Sequence, residues 1–285
     1  MNKITGIFRL TRFEHALMLA FAVFIGMVIA ESKMPQVNEI LLFALLVPIF
    51  SEMGSFALND ILDVETDKKN NMTKRPLISG DLKINEAWAI CIISFILSVL
   101  FVIPLGIIPT MVLILFNVFA ILYNYKLKDL PLIGNIYIGT TMAIPFIFGN
   151  VVLNDQINTT NILIAALGFS AGVAREIIKS TQDMHGDKEV RNSKTLPILI
   201  GERNSILIAS LIYIVTCIIA VLPFHFGLEF NYISGLLVGM CVAIIIYIVY
   251  RLLTKGRESY KKARNLSLVA FALGMIGILF AIILK

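Results

Sequence analysis

The apolar run from Ile40 to Leu58 ends in Asn59-Asp60-Ile61-Leu62-Asp63-Val64-Glu65-Thr66-Asp67, and this junction decides how the chain is read. As a helix the run is long enough to cross hydrocarbon. The nine residues after it hold four carboxylates. Charge at the edge of a bilayer is costly and is usually kept for function. If the segment is helical, Asp60, Asp63 and Asp67 project within roughly 60° of one another. Three carboxylates on one face repel unless a cation lies between them. An all-oxygen donor set selects a hard ion such as Mg²⁺, which also holds substrate phosphates.

The rest of the chain fits a membrane protein. Of its 285 residues 58% are hydrophobic and 15% charged, far from the balance of a soluble domain. The apolar residues form blocks at about 13–30, 40–58, 87–103, 107–123, 132–152, 160–180, 205–222, 231–250 and 265–284. Backbone groups in lipid must be satisfied internally, so the blocks are expected to be helices. The expected fold is all-α: nine transmembrane helices around a central cavity, with cap loops or short helices after spans two and six.

Charge orients the spans. If they alternate, all of the 24 Lys and Arg except Lys33 and Lys285 fall on one side. The positive-inside bias puts the N-terminus and the carboxylate-rich loops in the cytoplasm and the C-terminus outside. The net charge of +5 follows from this asymmetry, and no basic stripe interleaved with aromatics points to nucleic acid. No obligatory protein partner is evident. The first block follows Lys3, Arg9 and Arg12 but has no clear small-x-small cleavage site after it, so it reads as a span rather than a leader. Cys91, Cys217 and Cys241 stand singly inside spans, without metal spacing.

The loop has an echo 120 residues on. Asp63 and Asp67 align with Asp183 and Asp187, and Thr73-Lys74-Arg75-Pro76-Leu77-Ile78-Ser79-Gly80 with Ser193-Lys194-Thr195-Leu196-Pro197-Ile198-Leu199-Ile200-Gly201. The whole of 1–285 reads as a single domain in which 40–80 and 160–201 correspond. Each copy alone is half a site; helix bundles bring such halves to one cavity. Arg175, Glu176, Lys179, Asp183 and Asp187 fall within roughly a 120° arc of one helix. Alternating signs there suit Mg²⁺ and phosphate oxygens together; the alternative is a structural ion-pair ladder.

Two Mg²⁺ on opposed carboxylate clusters would neutralise a diphosphate and make it a good leaving group. Candidate cations for the diphosphate are Arg75, Lys126, Lys128, Lys179 and Lys194. An allylic diphosphate would ionise to a carbocation, which needs a dry wall rich in π-electrons. The chain has 19 Phe and 8 Tyr to build one. Glu52, eight residues before Asp60, could pair with a cation or accept a proton. Asn117, Thr140, Thr141 and Asn150 read as interhelical hydrogen-bond donors and acceptors.

These motifs resemble the UbiA superfamily of intramembrane prenyltransferases. N-D-x-x-D-x-x-x-D is complete at Asn59, Asp60, Asp63 and Asp67, with Arg75-Pro76-Leu77 and Gly80 behind it. D-x-x-x-D stands at Asp183 and Asp187, and the Tyr123–Lys126 loop and Gly134-Asn135 also match. Within the superfamily the chain looks like the archaeal geranylgeranylglycerol-phosphate geranylgeranyltransferases, on Arg175-Glu176-Ile177-Ile178-Lys179, Asp183-Met184-His185-Gly186-Asp187, Thr195-Leu196-Pro197-Ile198 and Phe146-Ile147-Phe148-Gly149. Two places depart from the pattern: Ser180-Thr181-Gln182, where many relatives carry another acidic residue, and Asn150, where a small residue is common.

The resemblance implies a metal site of Asn59, Asp60, Asp63, Asp67, Asp183 and Asp187, with the aspartates catalytic and Tyr123 beside the diphosphate cations. It implies Mg²⁺-dependent transfer of a geranylgeranyl group from its diphosphate to the free hydroxyl of geranylgeranylglyceryl phosphate, a step of archaeal ether phospholipid biosynthesis. A phosphate-bearing acceptor needs further cations, and Arg9 and Arg12 at the mouth are expected to serve. Prenylation of an aromatic acceptor, a quinone precursor or a haem, is the alternative within the superfamily. A secondary transporter is the alternative outside it, disfavoured because no Gly/Pro-broken half-helices stand symmetrically mid-span.

Overall fold

The computed structural model describes residues 3–69, 72–191 and 194–284, with 185–191 described as backbone alone. Among them there is no strand. The helices are α1 (Lys3–Thr11), α2 (Phe13–Glu31), α3 (Glu39–Leu62), α4 (Val64–Lys69), α5 (Pro76–Ser79), α6 (Ile84–Val102), α7 (Ile107–Tyr125), α8 (Ile133–Val151), α9 (Thr159–Arg191), α10 (Leu196–Ile200), α11 (Glu202–His225), α12 (Tyr232–Lys255) and α13 (Tyr260–Ile283). Seven stretches among the described residues are long and apolar enough to cross a membrane, and the last of them, Tyr232–Ile283, contains both α12 and α13. Large apolar side chains such as Ile96, Leu100, Met111, Leu211, Ile218 and Leu236 are exposed on these helices. A surface of that kind suits lipid rather than water.

The chain divides into two compact units. The first comprises 1–24 and 36–128, the second 25–35 and 129–285. In the first unit α3 packs along α6. Gly54 makes this possible, because a Cβ there would stand 3.0 Å from the Phe95 ring. The α3–α6–α7 contact is tied by buried polar groups: Ser51 Oγ donates to Asn117 Oδ1 (2.6 Å) and Asn117 Nδ2 to Ser98 Oγ (3.2 Å). This is the expected role of Asn117, since in lipid helices associate through close packing and interhelical hydrogen bonds.

In the second unit α8 packs along α9, and the C-terminal part of α2 joins them. A Cβ at Gly26 would lie 2.6 Å from the Phe146 carbonyl oxygen. Asn161 Nδ2 donates to Gly26 O (3.0 Å) and Phe146 O (2.8 Å), and Asn150 Nδ2 to Gln156 O (2.9 Å). Asn150, the residue that departs from the family pattern, thus closes the turn between α8 and α9.

The echo is visible in backbone. Pro76 opens α5 and Gly80 closes it with φ 78°; Pro197 lies in the first turn of α10 and Gly201 closes it with φ 83°. Both glycines occupy the left-handed region that a side chain makes costly. The two copies differ upstream. The helix expected through 60–67 is interrupted at Asp63 (φ −93°, ψ 2°), so α3 ends there and α4 begins, whereas α9 runs without a break.

Candidate functional site

In the first unit the three aspartates face cations drawn from separate elements. Asp60, on the last turn of α3, is 2% exposed. Its Oδ1 accepts from Arg12 Nη2 (3.1 Å) and from Arg75 Nη1. Its Oδ2 is buried with no hydrogen-bond partner. Arg75 also lies 3.7 Å from Asp67 Oδ2 through Nε, and Asp67 is buried. Asp63 Oδ1 accepts from Lys128 Nζ at 2.6 Å, with only 11% of either side chain exposed. Asn59 Nδ2 donates to Asp63 Oδ2 (3.1 Å) and to Asn124 Oδ1 (3.0 Å). Asn124 is in turn held by the carbonyls of Ser55 and Ala120. Asn59 therefore braces the Asp63 carboxylate through its amide.

Arg12 sits between α1 and α2 with φ 43°, a conformation a long side chain rarely adopts. Its guanidinium lies 4.2 Å over the Phe56 ring while also bonding to Asp60. Strain of this kind persists only where surrounding contacts over-determine it. Burial, and then the neighbouring Arg75, lower the Arg12 pKa; Asp60 and Glu52 work the other way.

Of the expected diphosphate cations, Arg75 is in this cluster. Lys126 is exposed; it is Lys128, two residues on in the turn Leu127–Asp129, that reaches an aspartate. Tyr123 is half-buried on α7, and Arg9 is exposed on α1. The alternating basic and apolar residues of Lys126-Leu127-Lys128 carried the signal, but spacing could not choose between the two lysines.

In the second unit Glu176 is buried and accepts from Lys179 Nζ at 2.9 Å, one turn on. Asp183 is exposed at the same end of α9. Asp187 and His185 fall in the stretch described as backbone alone, so the Asp187 side chain lies outside the described residues. Lys194 is exposed, and its backbone N–H donates to the Asp129 carbonyl (3.1 Å). Sequence reasoning missed Arg257 and Arg264, which both bond to Gln182: Arg264 Nη1 to Oε1 (3.0 Å) and Arg257 Nη2 to the carbonyl (3.3 Å). Their only sequence signal was basic residues at the start of the last apolar block.

Among the described residues no three carboxylates, imidazoles or thiols converge as a ready metal cage. The first-unit aspartates are instead each set against a cation, which is how like charges on one helix face are accommodated. The donor set still fits magnesium. It is all oxygen, and the orphaned buried Oδ2 of Asp60 is a polar atom whose burial is costly unless it finds a partner.

The UbiA prenyltransferase family model matches residues 19–271. A digeranylgeranylglyceryl phosphate synthase of Archaeoglobus fulgidus is 37% identical over 285 aligned positions, covering 96% of this chain and 94% of the relative. A structure solved in work on digeranylgeranylglyceryl phosphate synthase in membranes has a TM-score of 0.80 at 25% identity and covers both chains fully. A UbiA homolog from Archaeoglobus fulgidus, solved bound to GPP and Mg²⁺, has a TM-score of 0.70 at 17% identity, over 96% of this chain and 99% of that one; at that identity it speaks for the fold. The chain belongs to the UbiA prenyltransferase family and is a transferase.

Proposed function

We propose that this protein transfers the geranylgeranyl group of geranylgeranyl diphosphate to the free hydroxyl of geranylgeranylglyceryl phosphate, forming the second ether bond of archaeal lipid. The observation that carries the reading is Asp60: a buried carboxylate at the end of a spanning helix, with one oxygen held by two arginines and the other without a partner. The synthase name of the 37% identical relative supports the acceptor.

Asp60, Asp63 and Asp67, with Asp183 and Asp187, would hold two magnesium ions. Bound magnesium supplies Lewis-acid stabilisation of the negative charge that grows on a departing diphosphate. Asn59 fixes the Asp63 carboxylate. Arg75 and Lys128, which already meet Asp60 and Asp63, would also bind diphosphate oxygens, as would Lys126, Lys179 and Lys194, with the Tyr123 hydroxyl as a neutral hydrogen-bond donor. In the reaction the allylic carbon–oxygen bond breaks with its electron pair leaving on the diphosphate. The acceptor oxygen bonds to that carbon, and its proton passes to the released diphosphate.

The whole chain acts as one prenyltransferase domain with nine membrane spans. Counting α12 and α13 separately and adding α8 to the remaining six stretches supports that number. The short helices α4, α5 and α10 cap it on the cytoplasmic side, with the N-terminus inside and the C-terminus outside. This orientation is supported by the Lys and Arg distribution. The test is turnover by purified protein with geranylgeranyl diphosphate, Mg²⁺ and a panel of acceptors. Product with geranylgeranylglyceryl phosphate alone is expected. Product with hydroxybenzoate or dihydroxynaphthoate instead would overturn the reading.

A further inference from the structure

In the second unit two half-buried guanidiniums keep donor capacity that the described residues leave unused. Arg175 on α9 and Arg264 on α13 are close enough to repel one another, and the Nε of each is buried without a hydrogen-bond partner. Glu176, the nearest carboxylate to Arg175, is already bonded to Lys179. Arg264 and Arg257 are held through Gln182, a neutral residue that offers its amide oxygen and its backbone carbonyl but no charge. Beneath them the hydroxyl of Tyr213, a fully buried residue, makes no hydrogen bond of ordinary geometry, although Ser267 and the Arg175 guanidinium are its neighbours. Ionisable groups at membrane depth are expensive and are retained next to a partner. Guanidiniums with free N–H groups select planar or tetrahedral oxyanions, above all phosphate.

We infer that Arg264, with Arg175 and Arg257, binds the phosphate of the acceptor lipid, a phosphomonoester on a glycerol backbone. The inference rests on the transferase reading above and names the half of the acceptor that the reading leaves unheld. Position agrees with it. Gln182 directly precedes Asp183 on α9, so a phosphate beside Arg264 lies level with the second aspartate motif. In a glycerol phosphate the free hydroxyl is only one or two carbon–carbon bonds from the phosphate-bearing carbon, so phosphate and reacting oxygen must lie close together. Arg12, expected to take this role, is committed to Asp60 and Phe56.

Three variants test the assignment: Arg264→Gln, Arg264→Lys and Gln182→Glu. Arg264→Gln is expected to raise KM for geranylgeranylglyceryl phosphate about tenfold or more while KM for geranylgeranyl diphosphate stays within about twofold; Arg264→Lys should recover part of the loss. Gln182→Glu places a carboxylate where the phosphate would compete for Arg264. It is expected to raise the acceptor KM while leaving or increasing thermal stability, whereas a purely structural role predicts greater stability and no change in KM. An unchanged acceptor KM in both Arg264→Gln and Gln182→Glu overturns the proposal. Binding is read separately, without Mg²⁺, as the thermal shift given by geranylgeranylglyceryl phosphate. Geranylgeranylglycerol and a phosphodiester membrane lipid serve as controls. A shift by the phosphomonoester alone, lost in Arg264→Gln, supports the site, and an equal shift by the phosphodiester lipid overturns the acceptor assignment. If wild-type protein fails to turn over geranylgeranylglyceryl phosphate, the transferase reading falls, and this binding arm still decides the phosphate site.

Discussion

The two aspartate-bearing limbs share a sequence pattern but differ in the polar atoms they leave over. In the first unit three buried or half-buried carboxylates are met by Arg12, Arg75 and Lys128, which arrive from the α1–α2 joint, the start of α5 and the turn after α7. One carboxylate oxygen is still left over. In the second unit the atoms left over among the described residues are donors, the Nε groups of Arg175 and Arg264, and the neutral Gln182 holds Arg264. The difference teaches that the echo repeats a short Pro-to-Gly element, not the helix before it or the chemistry around it. Each limb has its Pro-to-Gly element, while one has spare acceptor capacity suited to a metal and the other spare donor capacity suited to an anion.

The largest effect that would break this comparison is at the aspartates. Asp63→Ala and Asp183→Ala are each expected to lower Mg²⁺-dependent diphosphate release by about 10²–10³-fold or more, the scale of losing a charge-stabilising group. Full turnover in either variant would show that the limbs do not both serve catalysis. Removal of divalent metal with a chelator should give the same loss in the wild type, restored by added Mg²⁺.

Next in size is the pairing itself. Arg75→Ala leaves Asp60 and Asp67 short of a cation, and breaking a buried pair costs about 3–5 kcal/mol. Because Arg12 also bonds to Asp60, the loss should fall below that range, and a double-mutant cycle of Arg75→Ala with Asp60→Asn should be non-additive. Additive denaturation free energies would show that the ion pair contributes nothing.

A sharper test separates neighbours. Lys128→Met should reduce activity about tenfold or more, since it strips Asp63 of its partner, whereas Lys126→Met, which leaves that pair intact, should reduce it less. Equal effects would dissolve the distinction drawn from burial. The smallest effect concerns backbone. At Arg12 both Ala and Gly lose the guanidinium, but only Gly is relaxed at φ 43°, so Arg12→Gly should be about 1 kcal/mol more stable than Arg12→Ala in a thermal melt.

Much of the fold was legible because lipid permits few solutions. A block of apolar residues near twenty long must be a helix, and the helices begin and end within a few residues of the blocks: 13–30 became Phe13–Glu31, and 107–123 became Ile107–Tyr125. The helix of span six, expected to carry Arg175 to Asp187 on one face, does run on past its apolar block to Arg191, since a helix that has left the hydrocarbon no longer needs apolar residues to persist. The break at Asp63 had no signal, because neither Pro nor Gly marks it.

By itself the sequence determined the helical membrane class, the family and the two aspartate motifs, since each depends on residue type and spacing along one chain. Only the tertiary structure decided which cation meets which carboxylate. Lys128 rather than Lys126 on Asp63, Arg12 and Arg75 sharing one oxygen of Asp60, and Arg264 on Gln182 are pairings between residues 48, 65 or 82 positions apart, apart from Arg75 at 15. Local periodicity carries no information over such separations. The pairings follow from how helices pack and which side chains are thereby denied water.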